Sequence, residues 1–285
     1  MSCFSILTDS ACDIAKETLK EWHVDCIEMS YEFQNIQVEK ELGIREFYDC
    51  MRQGGIAKTS AINPDAFNKQ FKTYLEQGQD VLYLSFSSGL STTYNSARLA
   101  AEELLEAYPD RKIRIVDSLC ASAGQGLFVY LVSQKANACE TLEELADFAE
   151  NLKRNLCHWF TVDDLVYLKR GGRVSPTAAF FGGVLGLKPV LHVDDDGHLI
   201  NVAKVRGRKA SIAALADKYS ELAQDPENGV VFLSHGDCFD DADALANMLK
   251  ERHGVTVRLI ADIGPVIGAH SGPGTLALFF VGKNR

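Results

Sequence analysis

The segment Val81-Leu82-Tyr83-Leu84-Ser85-Phe86 restricts the fold most. It is apolar at nearly every position, so the in-and-out alternation of a half-buried strand is lost. That is the signature of a strand buried on both faces. Such a strand needs a layer above it and a layer below it. The surrounding sequence supplies both. Short β-rich runs at Phe4 to Leu7, Asp25 to Phe33 and Ile113 to Val116 alternate with helical patterns at Ile14 to Trp22, Ile44 to Arg52, Tyr94 to Tyr108 and Ala121 to Ala138. Asp13 reads as the N-cap of the first helix. Asn63-Pro64 opens a further helix, with Asn as cap and Pro at the first helical position, and Gly78 ends it. The alternation predicts a parallel sheet with helices on both faces.

The second half changes character. Cys157 to Val162, Val230 to Leu233 and Thr275 to Val281 read as strands. Lys188 to Val193 and Leu199 to Val205 flank Asp194-Asp195-Asp196-Gly197, a hairpin signal. Helices fit Lys209 to Leu222 and Asp241 to His253. The expected fold is α/β in two domains: residues 1–156 as a parallel sheet flanked by helices, and residues 157–285 as an α/β domain with a mixed sheet. A chain of 285 residues is long enough for this.

Charge and cysteine usage narrow the function class. A net charge of -10 weighs against a nucleic-acid partner and against broad adhesion to anionic membranes. No segment approaches the ~18 apolar residues of a membrane span, and the start lacks the basic and apolar regions of a secretory signal. Eight scattered cysteines form no Cys-x-x-Cys pair, so they read as reduced thiols of a cytoplasmic protein.

The chemistry-bearing residues gather at the expected strand mouths. Thr8-Asp9-Ser10 follows the first strand, Thr59-Ser60 precedes the Asn63 helix, Ser85 to Thr93 follows the buried strand, and Asp117-Ser118 follows the next. Carboxyl ends of parallel strands share one edge, where short hydroxyls and helix N-termini hold small anionic or carbonyl groups. Each hydroxyl alone also suits a helix cap, but Ser85 to Thr93 holds more of them than one cap needs. Gly268-Ala269-His270-Ser271-Gly272-Pro273-Gly274 reads as a loop, neither helix nor strand, that brings His270 to the same edge.

Familiar catalytic signatures are missing. No phosphate loop, dinucleotide fingerprint, nucleophile elbow or metal-ligand histidine spacing occurs. The Asp194 to Asp196 run reads as a solvated turn, and no metal or other cofactor is expected. The pattern looks built to hold a molecule more than to transform one. Ala178 to Leu187 is apolar and glycine-rich, which suits a buried stretch past which an apolar ligand or a lid slides closely.

Thr8-Asp9-Ser10, Thr59-Ser60, Ser87-Ser88-Gly89-Leu90-Ser91, Val116-Asp117-Ser118, Lys169-Arg170-Gly171-Gly172-Arg173 and His270-Ser271-Gly272-Pro273-Gly274 resemble the ordered motifs of the DegV family. The resemblance runs from residue 4 to residue 282. It implies a cytoplasmic, bacterial two-domain protein that binds one long-chain fatty acid with its acyl tail buried. It implies no catalytic residue of its own: the bound acid is presented to a separate ATP-dependent fatty acid kinase, which makes acyl phosphate for phospholipid synthesis. On matching positions Thr59, Ser60, Ser91 and His270 would bind the carboxyl group, with Ser88, Gly89, Thr92 and Gly272 as further head-group contacts. No buried Arg or Lys is expected there. Arg173, Arg206 and Arg208 would serve docking to the kinase or a transient contact with a membrane surface. The chain departs from the family at Ala61-Ile62 after Thr-Ser and at Thr92-Thr93 after the third serine. Two other classes stay open on the residues alone: a hydrolase or acyl-transfer enzyme using Ser91 with His270, and a carrier of another amphiphile.

Overall fold

The computed structural model describes residues 4–37, 42–174 and 186–285. Residues 178–185 of the apolar glycine-rich stretch therefore lie outside the described residues. In chain order the elements are β1 (Phe4–Asp9), α1 (Lys16–Glu21), β2 (Val24–Ile27), β3 (Ser30–Phe33), α2 (Ile44–Arg52), β4 (Ala57–Ser60), α3 (Pro64–Leu75), β5 (Asp80–Ser85), α4 (Thr93–Ala107), β6 (Ile113–Asp117), α5 (Ser122–Ala136) and α6 (Leu142–Leu152). After them come β7 (Leu156–Thr161), α7 (Val166–Arg170), β8 (Leu187–Val193), β9 (Leu199–Arg206), α8 (Arg208–Leu222), β10 (Val231–His235), α9 (Phe239–His253), β11 (Leu259–Asp262), α10 (Pro265–Ser271) and β12 (Leu276–Val281).

Among the described residues two large sheets and a two-stranded one, β3-β4, result, and the α/β expectation holds. The first, in the order β2-β1-β5-β6, is entirely parallel. Its central β5 is buried on both faces as its composition demands. Leu82 and Leu84 pack toward α5, while Val81 and Tyr83 pack toward α3 and α4. The second sheet, in the order β11-β10-β12-β7-β8-β9, is mixed, with β10–β11 its parallel pair. Helix α5 lies between the sheets and touches β7, β10 and β12. From Ser122 to Ser133 it has no polar face because only Leu131 there is even partly exposed.

Some expectations change. Asp25 to Phe33 is not one strand. The chain breaks after Ile27, where the Met29 amide donates to Ser10 Oγ at 2.9 Å, and β3 leaves to pair with β4. Asp13 caps nothing in α1, whose N-cap is Ala15. It takes a left-handed conformation (φ 53°) at the end of a short 3-10 turn. Helix α6 was not expected, although Thr141 and Glu144 form a capping box at its start.

The Asp194–Gly197 turn is also less solvated than expected. Ser87 Oγ donates to Gly197 O at 2.9 Å, and a Cβ at Gly89 would stand 2.8 Å from the carbonyl oxygens of Asp196 and Gly197. The second sheet thereby grips the hydroxyl loop of the first. Gly197 has φ +78° and no room for a Cβ against Ser87 Oγ. Gly197→Ala is expected to cost at least 1–2 kcal/mol, roughly the left-handed penalty, read as a lower urea midpoint. An unchanged midpoint would mean that the turn does not hold the loop.

Candidate functional site: a cavity between the two sheets

A cavity of about 540 Å³ opens between the sheets, within the range of pockets that enclose a whole small ligand. Much of its wall is apolar: Phe86 and Leu90 from the loop after β5, Phe160 of β7, Leu168 of α7, Leu199 of β9, Val266 of α10, and Ala277 and Phe279 of β12. Its polar lining includes Thr59 on β4, Ser88, Ser91 and Thr92 on the hydroxyl loop, Arg173 after α7, and His270 and Ser271 on α10.

His270 lies on a helix, which corrects the loop expectation. Pro265 opens α10 at the first helical position, and the Gly264 amide donates to Asp13 Oδ1 at 2.9 Å. Gly268 sits inside the helix because a Cβ there would stand 2.7 Å from the Tyr48 hydroxyl. Gly272, at φ +80°, ends it.

The imidazole is tightly placed. His270 Nε2 lies 2.8 Å from Thr59 Oγ1, while Nδ1 is buried with no partner among the described residues. The ring rests on the backbone of Gly171, where a Cβ would collide with Nδ1. That contact explains the first glycine of the Lys-Arg-Gly-Gly-Arg run. Burial, and then the nearby Arg173, push the His270 pKa down to about 4, so the ring is neutral at pH 7.

Arg173 departs from expectation. It is half-buried in the cavity wall, its Nε donating to Leu90 O at 3.1 Å and its Nη1 to Gly171 O. The cavity wall thus holds a half-buried arginine where no cation was expected.

The remaining candidates divide. Thr59, Ser88, Gly89, Ser91, Thr92 and His270 line the cavity, Ser88 and Thr92 at its exposed rim. Ser60 is exposed and Gly272 is packed against Tyr167; neither lines it. Arg206 is exposed at the end of β9. Arg208 is held by Asp241, its Nε 2.8 Å from Oδ2. Ser91 Oγ lies 2.9 Å from Thr93 Oγ1.

Several strand-mouth residues brace the loops instead. Thr8 Oγ1 donates to Leu84 O at 2.9 Å, Ser118 Oγ to Ser85 O at 2.6 Å, and the Ser88 amide to Asp117 Oδ1 at 3.1 Å. Asp9 accepts from the Tyr83 hydroxyl at 2.6 Å and the Phe86 amide at 2.9 Å. Sequence reasoning passed over Ser271, whose buried hydroxyl on the cavity wall has no partner among the described residues, and over His158 and Ser122, which also line it. The Ser271 signal was present in its own motif. Among the described residues, no group of three or more His, Cys, Asp or Glu could hold a metal ion.

A profile of the DegV family, described as a family of uncharacterised proteins, matches residues 3–283. The chain belongs to the DegV family. A DegV domain-containing protein of Clostridium perfringens is 43% identical over 289 residues, covering 100% of this chain and 99% of that one. A fatty acid-binding protein of Thermotoga maritima is 33% identical over 279 residues, 95% of each chain. Among solved structures, a DegV lipid-binding protein from Thermotoga maritima superposes with a TM-score of 0.86 at 31% identity over the full length of both chains. A DegV protein from Thermus thermophilus, described for its fatty acid binding, superposes with a TM-score of 0.86 at 28% identity, covering 98% of this chain and 99% of that one.

Gly171→Ala tests the seat of His270. The added methyl is expected to push the ring off Thr59 and away from burial, so its titration midpoint should rise from about 4 toward the ordinary 6.5 while the fold is kept. Imidazole NMR across pH measures it, and a midpoint left near 4 would contradict the assigned contact.

Asp13 sets up an opposed titration. Ser122 Oγ donates to its Oδ2 at 2.6 Å, and desolvation raises its pKa from 3.8 to about 7. The native state thus binds more protons at Asp13 between pH 3.8 and 7, so that contribution to stability falls as pH rises through this window. His270 is the reverse: the unfolded state binds more protons between pH 4 and 6.5, and stability falls as pH drops through it. The two slopes offset each other. Asp13→Asn removes only the first, so melting temperatures should fall more steeply from pH 6.5 to 5 than in the parent. Parallel curves would refute the Asp13 assignment.

Proposed function

We propose that this protein binds one long-chain fatty acid in the cavity, with the carboxyl group at Thr59, Ser91 and His270. The observation that carries the reading is an apolar cavity lined on its polar side by hydroxyls and a neutral histidine, in a chain whose Thermotoga and Thermus relatives are described as binding fatty acids or lipid. Burying a ~16-carbon tail is worth roughly 10 kcal/mol gross at ~0.8 kcal/mol per CH₂. Hydrogen bonds to the carboxylate add about 1.5–3 kcal/mol each. The tail supplies affinity, and the polar groups choose which end faces out. Arg173 adds a positive field that favours the ionised head group, and Ser271 offers another hydroxyl.

In this reading residues 1–156 supply the head-group loops and residues 157–285 enclose most of the acyl chain. The break between β6 in one sheet and β7 in the other supports that division. The protein is cytoplasmic and presents the acid to an ATP-dependent fatty acid kinase, which forms the acyl phosphate. Arg206 suits docking to that kinase or a membrane surface better than Arg208, because Arg206 is exposed while Arg208 is paired with Asp241. The hydrolase alternative is disfavoured by geometry: Ser91 is engaged with Thr93, His270 with Thr59, and no carboxylate among the described residues orients the imidazole.

Mass spectrometry of ligand extracted from purified protein, with acyl-phosphate formation measured in a reconstituted kinase assay, tests both halves. The expected result is about one fatty acid per chain in the parent and in Arg206→Ala, with turnover reduced in Arg206→Ala alone. Protein that is empty and takes up neither palmitate nor oleate would overturn the binding reading. Normal turnover by Arg206→Ala, or loss of its ligand, would overturn the docking role.

A further inference from the structure

The segment after β12 is tied down step by step. The Gly282 amide donates to Asn155 O at 2.7 Å and the Lys283 amide to Leu222 O at 2.9 Å. This course delivers the Arg285 guanidinium to the seam between the two large sheets. There Nε donates to Val193 O at 3.3 Å, Nη1 to Lys153 O at 2.9 Å, and Nη2 to Leu119 O. Three segments therefore meet at one side chain: the end of β8, the residue after α6, and the turn between β6 and α5.

All three acceptors are backbone carbonyls, so the guanidinium fixes the course of the chain itself. A planar fork of donors can serve three separate carbonyls at once, which a lysine ammonium does less well. One of the three has a particular need. Leu119 has φ 56°, a left-handed conformation that is strained for a leucine. Local preference does not hold the turn there, so contacts from elsewhere must, and Arg285 supplies one at the Leu119 carbonyl itself.

Two of the three segments converge again on Ser87. Its amide donates to Cys120 O at 3.0 Å, one residue beyond Leu119. Its Oγ donates to Gly197 O at 2.9 Å, in the turn that leaves β8 after Val193. Arg285 thus joins from one side what Ser87 joins from the other. Ser87 in turn opens the hydroxyl loop, and the Ser91 amide donates to Ser87 O at 3.1 Å. Asp9 and Asp117 hold the same loop to the first sheet, through the amides of Phe86 and Ser88. The circuit through Arg285 adds the second sheet.

We propose that Arg285 is a positioning residue for the ligand's head group: by clamping the end of β8 to the turn between β6 and α5, it sets Ser87, and through Ser87 it places Ser91 for the carboxyl group. This rests on the fatty-acid reading above and adds to it a determinant that does not line the cavity.

A double-mutant cycle with Ser91 tests it. Palmitic acid is titrated into delipidated parent, Arg285→Ala, Ser91→Ala and the double variant. Arg285→Ala should bind palmitate about tenfold more weakly than the parent, the worth of about one hydrogen bond to the carboxylate. In the Ser91→Ala background the same change should cost no more than about twofold, because the group it positions is gone. A merely structural role would cost the same factor in both backgrounds. Should Arg285→Ala fold poorly, Arg285→Lys takes its place. It keeps the charge and loses the fork, so a loss of about threefold with the same dependence on Ser91 is expected. Equal factors in the two backgrounds, or parent affinity in the Arg285 variant, overturns the proposal and leaves fatty acid binding standing. Failure of the parent to take up palmitate overturns both.

Discussion

Helix α5 serves two sheets at once, and the rest of the molecule is arranged around that requirement. The parallel sheet sets Leu82 and Leu84 against it from one side, and Phe160, Phe232 and Phe279 of the mixed sheet close on it from the other. Two sheets can approach one helix this closely only where its own side chains are absent. Gly124 gives way to His158, and Gly126 gives way to Ile14 and the Cys12 carbonyl. A glycine inside a helix costs roughly 0.5–1 kcal/mol relative to alanine. Here Gly124 exchanges that cost for contact with β7, and Gly126 for contact with the turn after β1. At the N-terminal end of α5 the sheets are no longer filled by helix, and the cavity lies there, beside Ala121 and Ser122.

The same junction explains the site's economy of charge. An anionic head group in a low-dielectric space could be met by a full ion pair, but desolvating two charges consumes much of what their attraction returns. This cavity keeps its histidine neutral and places one guanidinium in the wall, with part of its donor set spent on the carbonyls of Leu90 and Gly171. The nearby buried carboxylates hold backbone. Asp9 gathers the ends of β1 and β5 through Tyr83, Phe86, Ala11 and Gln125. Asp13 ties the start of α5 to the amide before α10. The polar residues of the cavity wall therefore stand on a strand, a loop and a helix beside elements fixed by hydrogen bonds deeper in the fold.

That division marks the limit of what the sequence could disclose. The strand at β5, the cap at Asn63 and the hairpin at Asp194 to Gly197 were legible because each depends on neighbours within a few residues. The hydroxyl clusters were legible as clusters. Which hydroxyl faces the cavity was not, because Thr8 and Ser118 turn to carbonyls on β5, more than thirty residues away in the chain, while Thr59 meets a histidine at position 270. That Arg173 lines the cavity was hidden for the same reason: its partner Leu90 lies in the other half of the chain.

Glycine was the most misleading residue type. Gly268 and Gly272 look alike in the run around His270, yet one fits a helix against the Tyr48 hydroxyl and the other ends it with a positive φ. Local propensity reads both as breaks. Only the facing side chain tells them apart, and Tyr48 comes from α2, more than two hundred residues earlier. Gly171 extends the point. Its backbone is ordinary, with φ -72°, so nothing local demands glycine there. The demand comes from the imidazole lying on it. A glycine with no conformational reason to be glycine marks a surface against which something packs, and at Gly171 that surface is the seat of the ring that reaches Thr59.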